Sequence, residues 1–378
     1  MAEKIEPFRI EVPDADLDDL HHRLRHTRWP DAETVKDWSQ GVPLAYAKEL
    51  WRYWLEDYDW RAREELHNAW PQFRTEIDGL AIHFVHARSP EAAALPLVIT
   101  HGWPGSVVEF DQVIGPLSDP VAYGGDAADA FHVVCPSLPG YGWSAKPTAT
   151  GWGLERIAAA WGTLMARLGY GRYGAQGGDW GSMVTSVMGA NHPEHLVGIH
   201  LNMAVAGPQE GQSDFTEEEL ASLATMGRYQ ESLSGYSKQQ STQPQTLGYG
   251  LADSPVGQCT WILDRFQAWG DCGDDPVGAF GADRILDNVM FYWLPGNATS
   301  SARLYWESFR SVPRAAVRVP AGVSVFPKEI FRPSRRWVER TLPDLRHWGE
   351  PPRGGHFAAF EQPELFVEEV RAAFRTMR

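Results

Sequence analysis

The sequence predicts an α/β fold: a mostly parallel sheet with helices on both faces, a helical lid inserted into it and a helical extension in front of it. Three observations support this. Short apolar runs of the kind found in buried parallel strands, at 95–100, 131–136 and 197–203, alternate with stretches of helical period such as 154–168. The junction Gly177-Gly178-Asp179-Trp180-Gly181-Ser182 has small residues two before and two after Asp179, as a sharp and crowded strand-to-helix turn requires. Between residues 207 and 296 the alternation stops and helical patterns take over.

In chain order, residues 1–72 form the extension. Pro7-Phe8-Arg9-Ile10 leads into a helix over 14–25, residues 37–43 make a loop, and amphipathic helices follow over 44–55 and 60–70. The extension carries no evident chemistry and reads as an appendage packed over something else. The first part of the core, 73–206, opens with strands at 73–77 and 80–86 about Asp78-Gly79, a strong hairpin signal. The strand at 95–100 runs into His101-Gly102-Trp103-Pro104-Gly105-Ser106, and the strand at 131–136 runs into Ser137-Leu138-Pro139-Gly140. After the helix at 154–168, residues 173–176 enter the Asp179 turn, a helix covers 182–191, and 197–203 is the next strand. The lid, 207–296, has helical patterns at 216–231, 256–269 and 283–294, with loops such as 239–250 between them. The second part of the core, 297–378, holds a strand at 322–326, Pro327-Lys328-Glu329-Ile330, helices at 334–341 and 364–374, and a last strand at 345–348.

Composition narrows the function. A net charge of −15 over 378 residues argues against nucleic acid or an anionic membrane as partner and fits a neutral organic substrate. Met1-Ala2-Glu3-Lys4-Ile5-Glu6 has no basic or apolar leader pattern, and no run of about 18 apolar residues occurs. A soluble, cytoplasmic protein is expected. Cys135, Cys259 and Cys272 are scattered and lack metal-ligand spacing, so no disulfide framework, metal or cofactor is expected. Seventeen tryptophans are many for this length, and an aromatic-walled cavity for an apolar ligand is one use for them.

The tip of the turn sets the chemistry. This is a nucleophile elbow of the α/β-hydrolase type, with Asp179 where acyl hydrolases carry serine. A carboxylate is already ionised near neutral pH, so it can displace a leaving group at saturated carbon without a base. The product is an alkyl ester whose carbonyl belongs to the protein, and water must then attack that carbonyl. This second step needs a histidine base and an oxyanion hole, for which the backbone N–H groups of Trp103 and Trp180 are placed. His356, after the last strand and two glycines, has the base's place in the order nucleophile, acid, histidine. Glu329 follows the preceding strand and ranks first as its orienting acid, ahead of Asp344.

With these motifs the chain resembles, nearly end to end, the epoxide hydrolases of the microsomal and juvenile-hormone type. The segment Trp38-Ser39-Gln40-Gly41-Val42-Pro43 looks like the family's N-terminal domain. Residues 101–106, 177–182 and Gly354-Gly355-His356-Phe357-Ala358-Ala359 look like its core motifs, and Asp253-Ser254-Pro255-Val256-Gly257 matches a lid loop. The resemblance implies that Asp179 is the nucleophile, His356 the base for the hydrolytic water and Glu329 the relay acid. It further implies that Tyr236 and Tyr305 hold the epoxide oxygen and protonate it. The partners it implies are a small-molecule epoxide and water, with a homodimer one compatible assembly and roles in detoxification or in making epoxide-bearing natural products. Haloalkane dehalogenation, by the same ester chemistry, and a non-catalytic binding protein are the alternatives.

Overall fold

The computed structural model describes residues 4–309 and 316–378. Residues 1–3, part of the segment read for a leader, lie outside that range. The strands are β1 (Ile5–Phe8), β2 (Gln72–Ile77), β3 (Leu80–Ala87), β4 (Leu95–Thr100), β5 (Phe131–Pro136), β6 (Tyr173–Gly177), β7 (Leu196–Leu201), β8 (Ala321–Ser324) and β9 (Leu345–Gly349). They join one sheet in the order β1-β2-β3-β5-β4-β6-β7-β8-β9. The pairs β1–β2, β2–β3 and β3–β5 are antiparallel and the rest parallel. Asp78 and Gly79 both have positive φ, 52° and 76°, which closes the β2–β3 hairpin.

The helices are α1 (Asp14–Arg25), α2 (Leu44–Glu56), α3 (Trp60–His67), α4 (Asp111–Ser118), α5 (Leu154–Arg167) and α6 (Asp179–Asn191) before the lid, and α7 (Glu217–Arg228), α8 (Gly235–Thr242), α9 (Pro244–Asp253), α10 (Pro255–Trp269), α11 (Pro276–Phe280) and α12 (Ala282–Trp293) within it. After it come α13 (Ala298–Ser308), α14 (Arg335–Val338), α15 (Ala358–Glu361) and α16 (Pro363–Arg375). Successive side chains of a strand point to opposite faces, and β6 shows what each face meets. The Tyr173 hydroxyl reaches Gly162 of α5, whereas a Cβ on Gly174 would lie 2.4 Å from the Phe374 ring of α16. The central strands are buried on both sides for that reason.

Two local readings differ from the sequence expectation. The extension, read as helices and a loop, opens with a strand: β1 adds to the sheet edge beside β2, and Pro7 is tolerated there because an edge strand can spare one donor. Residues 239–250 are mostly helical, as the end of α8 and most of α9. Their glutamines, serine and threonines read as loop, but Pro244 starts a new helix and Gly248 packs directly on Thr299 of α13. Among the described residues no helix is long and apolar enough to cross a membrane.

The extension packs on the lid: α1 and α2 lie against α10, and α2 against α12. Three tyrosines fasten it, with Tyr46, Tyr53 and Tyr58 donating to Asp275, Asp283 and Asp287 at 2.8, 2.7 and 2.8 Å. Asp287 is fully buried and also accepts from Arg63 Nε at 2.9 Å, while His67 stands between Asp111 at 3.0 Å and Asp287 at 3.5 Å. Burial disfavours a charged His67, but the two carboxylates prevail and push its pKa up to about 9. Removing one member of such a network leaves an uncompensated buried charge, at a cost of about 3–5 kcal/mol. Asp287→Ala is therefore expected to lower the urea midpoint strongly. A histidine whose pKa is raised by folding stabilises fully below its unfolded value of 6.5 and loses that contribution as pH rises through about 9. The wild-type midpoint should fall across that window, and the Asp287→Ala midpoint should fall less.

Candidate active site

β6 ends at Gly177, and α6 begins at Asp179 itself. Asp179 has φ 48°, a left-handed conformation that non-glycine residues adopt only when their surroundings enforce it. The neighbours enforce it by crowding. A Cβ on Gly177 would lie 2.1 Å from the Gly181 carbonyl oxygen, and one on Gly181 would lie 1.9 Å from that of Thr100. The turn therefore tolerates only glycine at these places, and it lifts the Asp179 side chain off the sheet at the positive end of a helix.

The loop after β4 covers that carboxylate. The Trp103 N–H donates to Asp179 Oδ1 at 2.8 Å. The Trp180 N–H belongs to the first turn of α6, where amides have no intrahelical acceptor. The lid helix α12 braces this loop, with Asn288 Nδ2 donating to the Pro104 carbonyl at 2.8 Å and Tyr292 Oη to the Gly105 carbonyl at 2.6 Å. His101 is buried against the Leu138 amide, which donates to its Nε2 at 3.1 Å, and burial pushes its pKa down to about 4.

His356 Nε2 lies 3.2 Å from Asp179 Oδ2, and its Nδ1 lies 2.7 Å from Glu329 Oε1. Glu329 is buried and takes a further hydrogen bond from the Ile330 amide at 2.7 Å, while its Oε2 is buried with no partner among the described residues. Burial works against charge on His356, but the anions on either side outweigh it and hold the imidazole pKa well above its ordinary value. Asp344 is elsewhere, paired with Arg346 at 2.8 Å, so of the two acids it is Glu329 that lies beside His356.

Tyr236 of α8 and Tyr305 of α13 meet above the elbow. The Tyr236 ring stacks on Trp103 at 4.9 Å, Tyr305 stands edge-on to Trp180 at 4.8 Å, and the two tyrosine rings are 5.7 Å apart. Both are buried, and burial first, then a neighbouring phenol (Tyr229 for Tyr236, Tyr236 for Tyr305) and Asp179, raises each hydroxyl well above its ordinary pKa. All seven residues singled out in the sequence, Asp179, His356, Glu329, Tyr236, Tyr305, Trp103 and Trp180, thus come together here.

Two spaces adjoin Asp179. A cavity of about 410 Å³, within the usual range for small-molecule sites, is walled mainly by aromatic and aliphatic side chains, among them Trp180, Met183, Met203, Tyr305 and Phe331, with Gln230, Lys238 and three serines adding polar lining. A second chamber of about 20 Å³ is lined by Glu109, Asp179 and His356, with room for roughly one water. Sequence reasoning missed Glu109, whose carboxyl is pushed up to about 8, chiefly by burial. It also missed Glu361, which accepts from the amides of Gly355 and Phe357, both at 3.0 Å, and so fixes the loop on either side of His356. Nothing marks either glutamate beyond its nearness to a motif.

An elbow on a mostly parallel sheet, with a histidine and an acid after the later strands and a helical lid above, defines an α/β hydrolase, here with a carboxylate at the tip. Comparison with known proteins agrees. The family described as "alpha/beta hydrolase fold" matches residues 96–264, and that described as "Epoxide hydrolase N terminus" matches residues 5–110. A protein of Stigmatella aurantiaca, provisionally named an epoxide hydrolase, is 53% identical over 99% of this chain and 86% of its own length. Epoxide hydrolase 1 of Sus scrofa is 36% identical over 98% of this chain and 88% of its own. Among solved structures, the juvenile hormone epoxide hydrolase of Bombyx mori superposes with TM-score 0.91, at 31% identity, over 100% of this chain and 95% of that one. The chain belongs to the epoxide hydrolases, in the branch that holds the microsomal and juvenile-hormone enzymes.

Proposed function

We propose that this chain converts an epoxide to a vicinal diol through a covalent ester on Asp179. The observation that carries this is the single arrangement of a carboxylate at the elbow, a histidine between two carboxylates on one side and two buried phenols on the other. In the first step the Asp179 carboxylate attacks one oxirane carbon, the carbon–oxygen bond breaks, and Tyr236 or Tyr305 gives its proton to the departing oxygen. The phenols' raised pKa values support this role, since they stay protonated at neutral pH.

Ester formation removes the charge on Asp179. His356 then keeps only Glu329 as an anionic neighbour, its hold on a proton weakens, and it becomes able to take one from water. Hydroxide adds to the ester carbonyl, the oxyanion is met by the amides of Trp103 and Trp180, and its collapse breaks the bond to the alkyl oxygen, which leaves as the diol with the proton His356 took from water and frees Asp179. We place that water in the small chamber beside Glu109, on size and on its contact with both Asp179 and His356. The aromatic and methionine wall of the larger cavity supports a bulky, largely apolar epoxide as substrate. The two phenols also weigh against haloalkane dehalogenation, because a halide leaves as a stable anion that needs no acid.

The test is the intact mass of His356→Gln after mixing with styrene oxide. Without its base the ester should accumulate, adding the mass of the whole epoxide to the peptide that holds Asp179. An unmodified variant, alongside a wild type that makes diol from the same epoxide, would overturn the covalent route.

A further inference from the structure

Three phenols, not two, meet in the cavity. The Tyr229 hydroxyl lies 2.8 Å from that of Tyr236, and Tyr229 is buried while facing the same space as Asp179, Tyr236 and Tyr305. Its backbone is unusual. Residues Tyr229–Leu233 form a π-helical turn between α7 and α8, a conformation that is rare and concentrated at functional sites. Arg265 ties this turn to Tyr236: its Nη1 donates to the Leu233 carbonyl at 2.9 Å, and its guanidinium lies 5.3 Å from the centre of the Tyr236 ring. Phe331 closes the other side, edge-on to Tyr229 at 5.3 Å.

A count of hydrogens assigns the direction of the contact. A phenol has one hydrogen to donate. On the reading that Tyr236 and Tyr305 both point theirs at the oxirane oxygen, Tyr236 has none left for Tyr229, so in the substrate complex Tyr229 must be the donor. We propose that Tyr229 is a positioning residue for the acid: its O–H donates to Tyr236 Oη, turns the Tyr236 hydrogen into the cavity and stabilises the anion that Tyr236 becomes.

The step balances. As the Asp179 oxygen bonds to carbon, the carbon–oxygen bond of the oxirane breaks and its electron pair stays on oxygen, which takes the Tyr236 proton. The charge that leaves Asp179 thus arrives at Tyr236, where a hydrogen bond from Tyr229 is charge-assisted and stronger than between neutral groups. Solvent returns a proton to Tyr236, and His356 sheds one once Asp179 is an ester. Among the described residues, the titratable and charged groups that face Tyr229 or share its cavity are Tyr236, Tyr305, Arg265, Asp179 and Lys238.

The inference rests on the proposed roles of Tyr236 and Tyr305, and a double-mutant cycle tests the two readings separately. Tyr229→Phe removes one oxygen and keeps the ring. Single-turnover kinetics with styrene oxide should show ester formation slowed roughly ten- to a hundredfold, as loss of a hydrogen bond to a charged group implies, with ester hydrolysis within about twofold of wild type. A merely structural role would slow both steps or neither. In a Tyr236→Phe background the further change to Tyr229→Phe should cost nothing, because the group it supports is gone. Wild-type ester formation in Tyr229→Phe, or an equal loss in both backgrounds, would overturn the positioning role and leave the Tyr236 reading standing. A Tyr236→Phe variant as fast as wild type would overturn both.

Discussion

Asp179→Ala is expected to abolish diol formation, by more than about 10⁴-fold, a size typical of removing the group that bonds to substrate. No neighbouring carboxylate can replace it. Glu329 is buried behind His356, and Glu109 lines the small chamber, not the large cavity. The variant should still fold, since the turn is set by Gly177 and Gly181 packing on Thr100 and each other, and Asp179 contributes strain to it. The measurement is diol yield from styrene oxide with the circular dichroism spectrum as control. Activity within about tenfold of wild type in a folded variant would end the covalent mechanism.

The same variant changes the electrostatics around the histidine. His356 is held between two anions, and burial alone would strip its proton. With Asp179 gone, the resting variant should resemble the ester stage of the wild type, in which Glu329 alone favours the imidazolium. On the proposed mechanism Asp179 has a second effect: its charge favours a protonated His356 until the ester has formed, so that water would be activated only when there is an ester to attack.

What could be read from the sequence follows from how far apart the cooperating residues lie. The parallel strands, the elbow and the Trp103 loop were legible because each is a local pattern: an apolar run, a glycine spacing, a proline after a strand. His356 and Glu329 were legible through chain order alone. The strand β1 was not, because Pro7 masks a run of four residues that is stable only against β2, more than sixty positions on. Helix α9 was hidden by polar residues that become helical by packing on α13. Asp287, Glu109 and Tyr229 carry no local mark. Each acquires its meaning from partners that fold brings close: the Arg63 and His67 pair, the Asp179 chamber and the Tyr236 hydroxyl.

Replacing both Tyr236 and Tyr305 with Phe is expected to slow ester formation by about 10²–10⁴-fold, the usual contribution of a general acid, and to leave hydrolysis of an ester already formed close to normal. An oxirane opened without an acid must leave as a bare alkoxide in a cavity lined mainly by aromatic and aliphatic groups, where an unpaired charge is costly. Either single variant should lose less than the pair, because the remaining phenol still donates. Fluorescence should report the step directly, since Trp103 and Trp180 touch the two tyrosines and flank Asp179, the carboxylate proposed to form the ester. The pH profile gives a second check. Both hydroxyls are held well above the ordinary value of 10, so ester formation in the wild type should not decline until the medium is more alkaline than that. A double variant that forms ester at the wild-type rate would remove the phenols from the chemistry. A wild-type decline near neutral pH, carried unchanged into both single variants, would assign the acid to some other group.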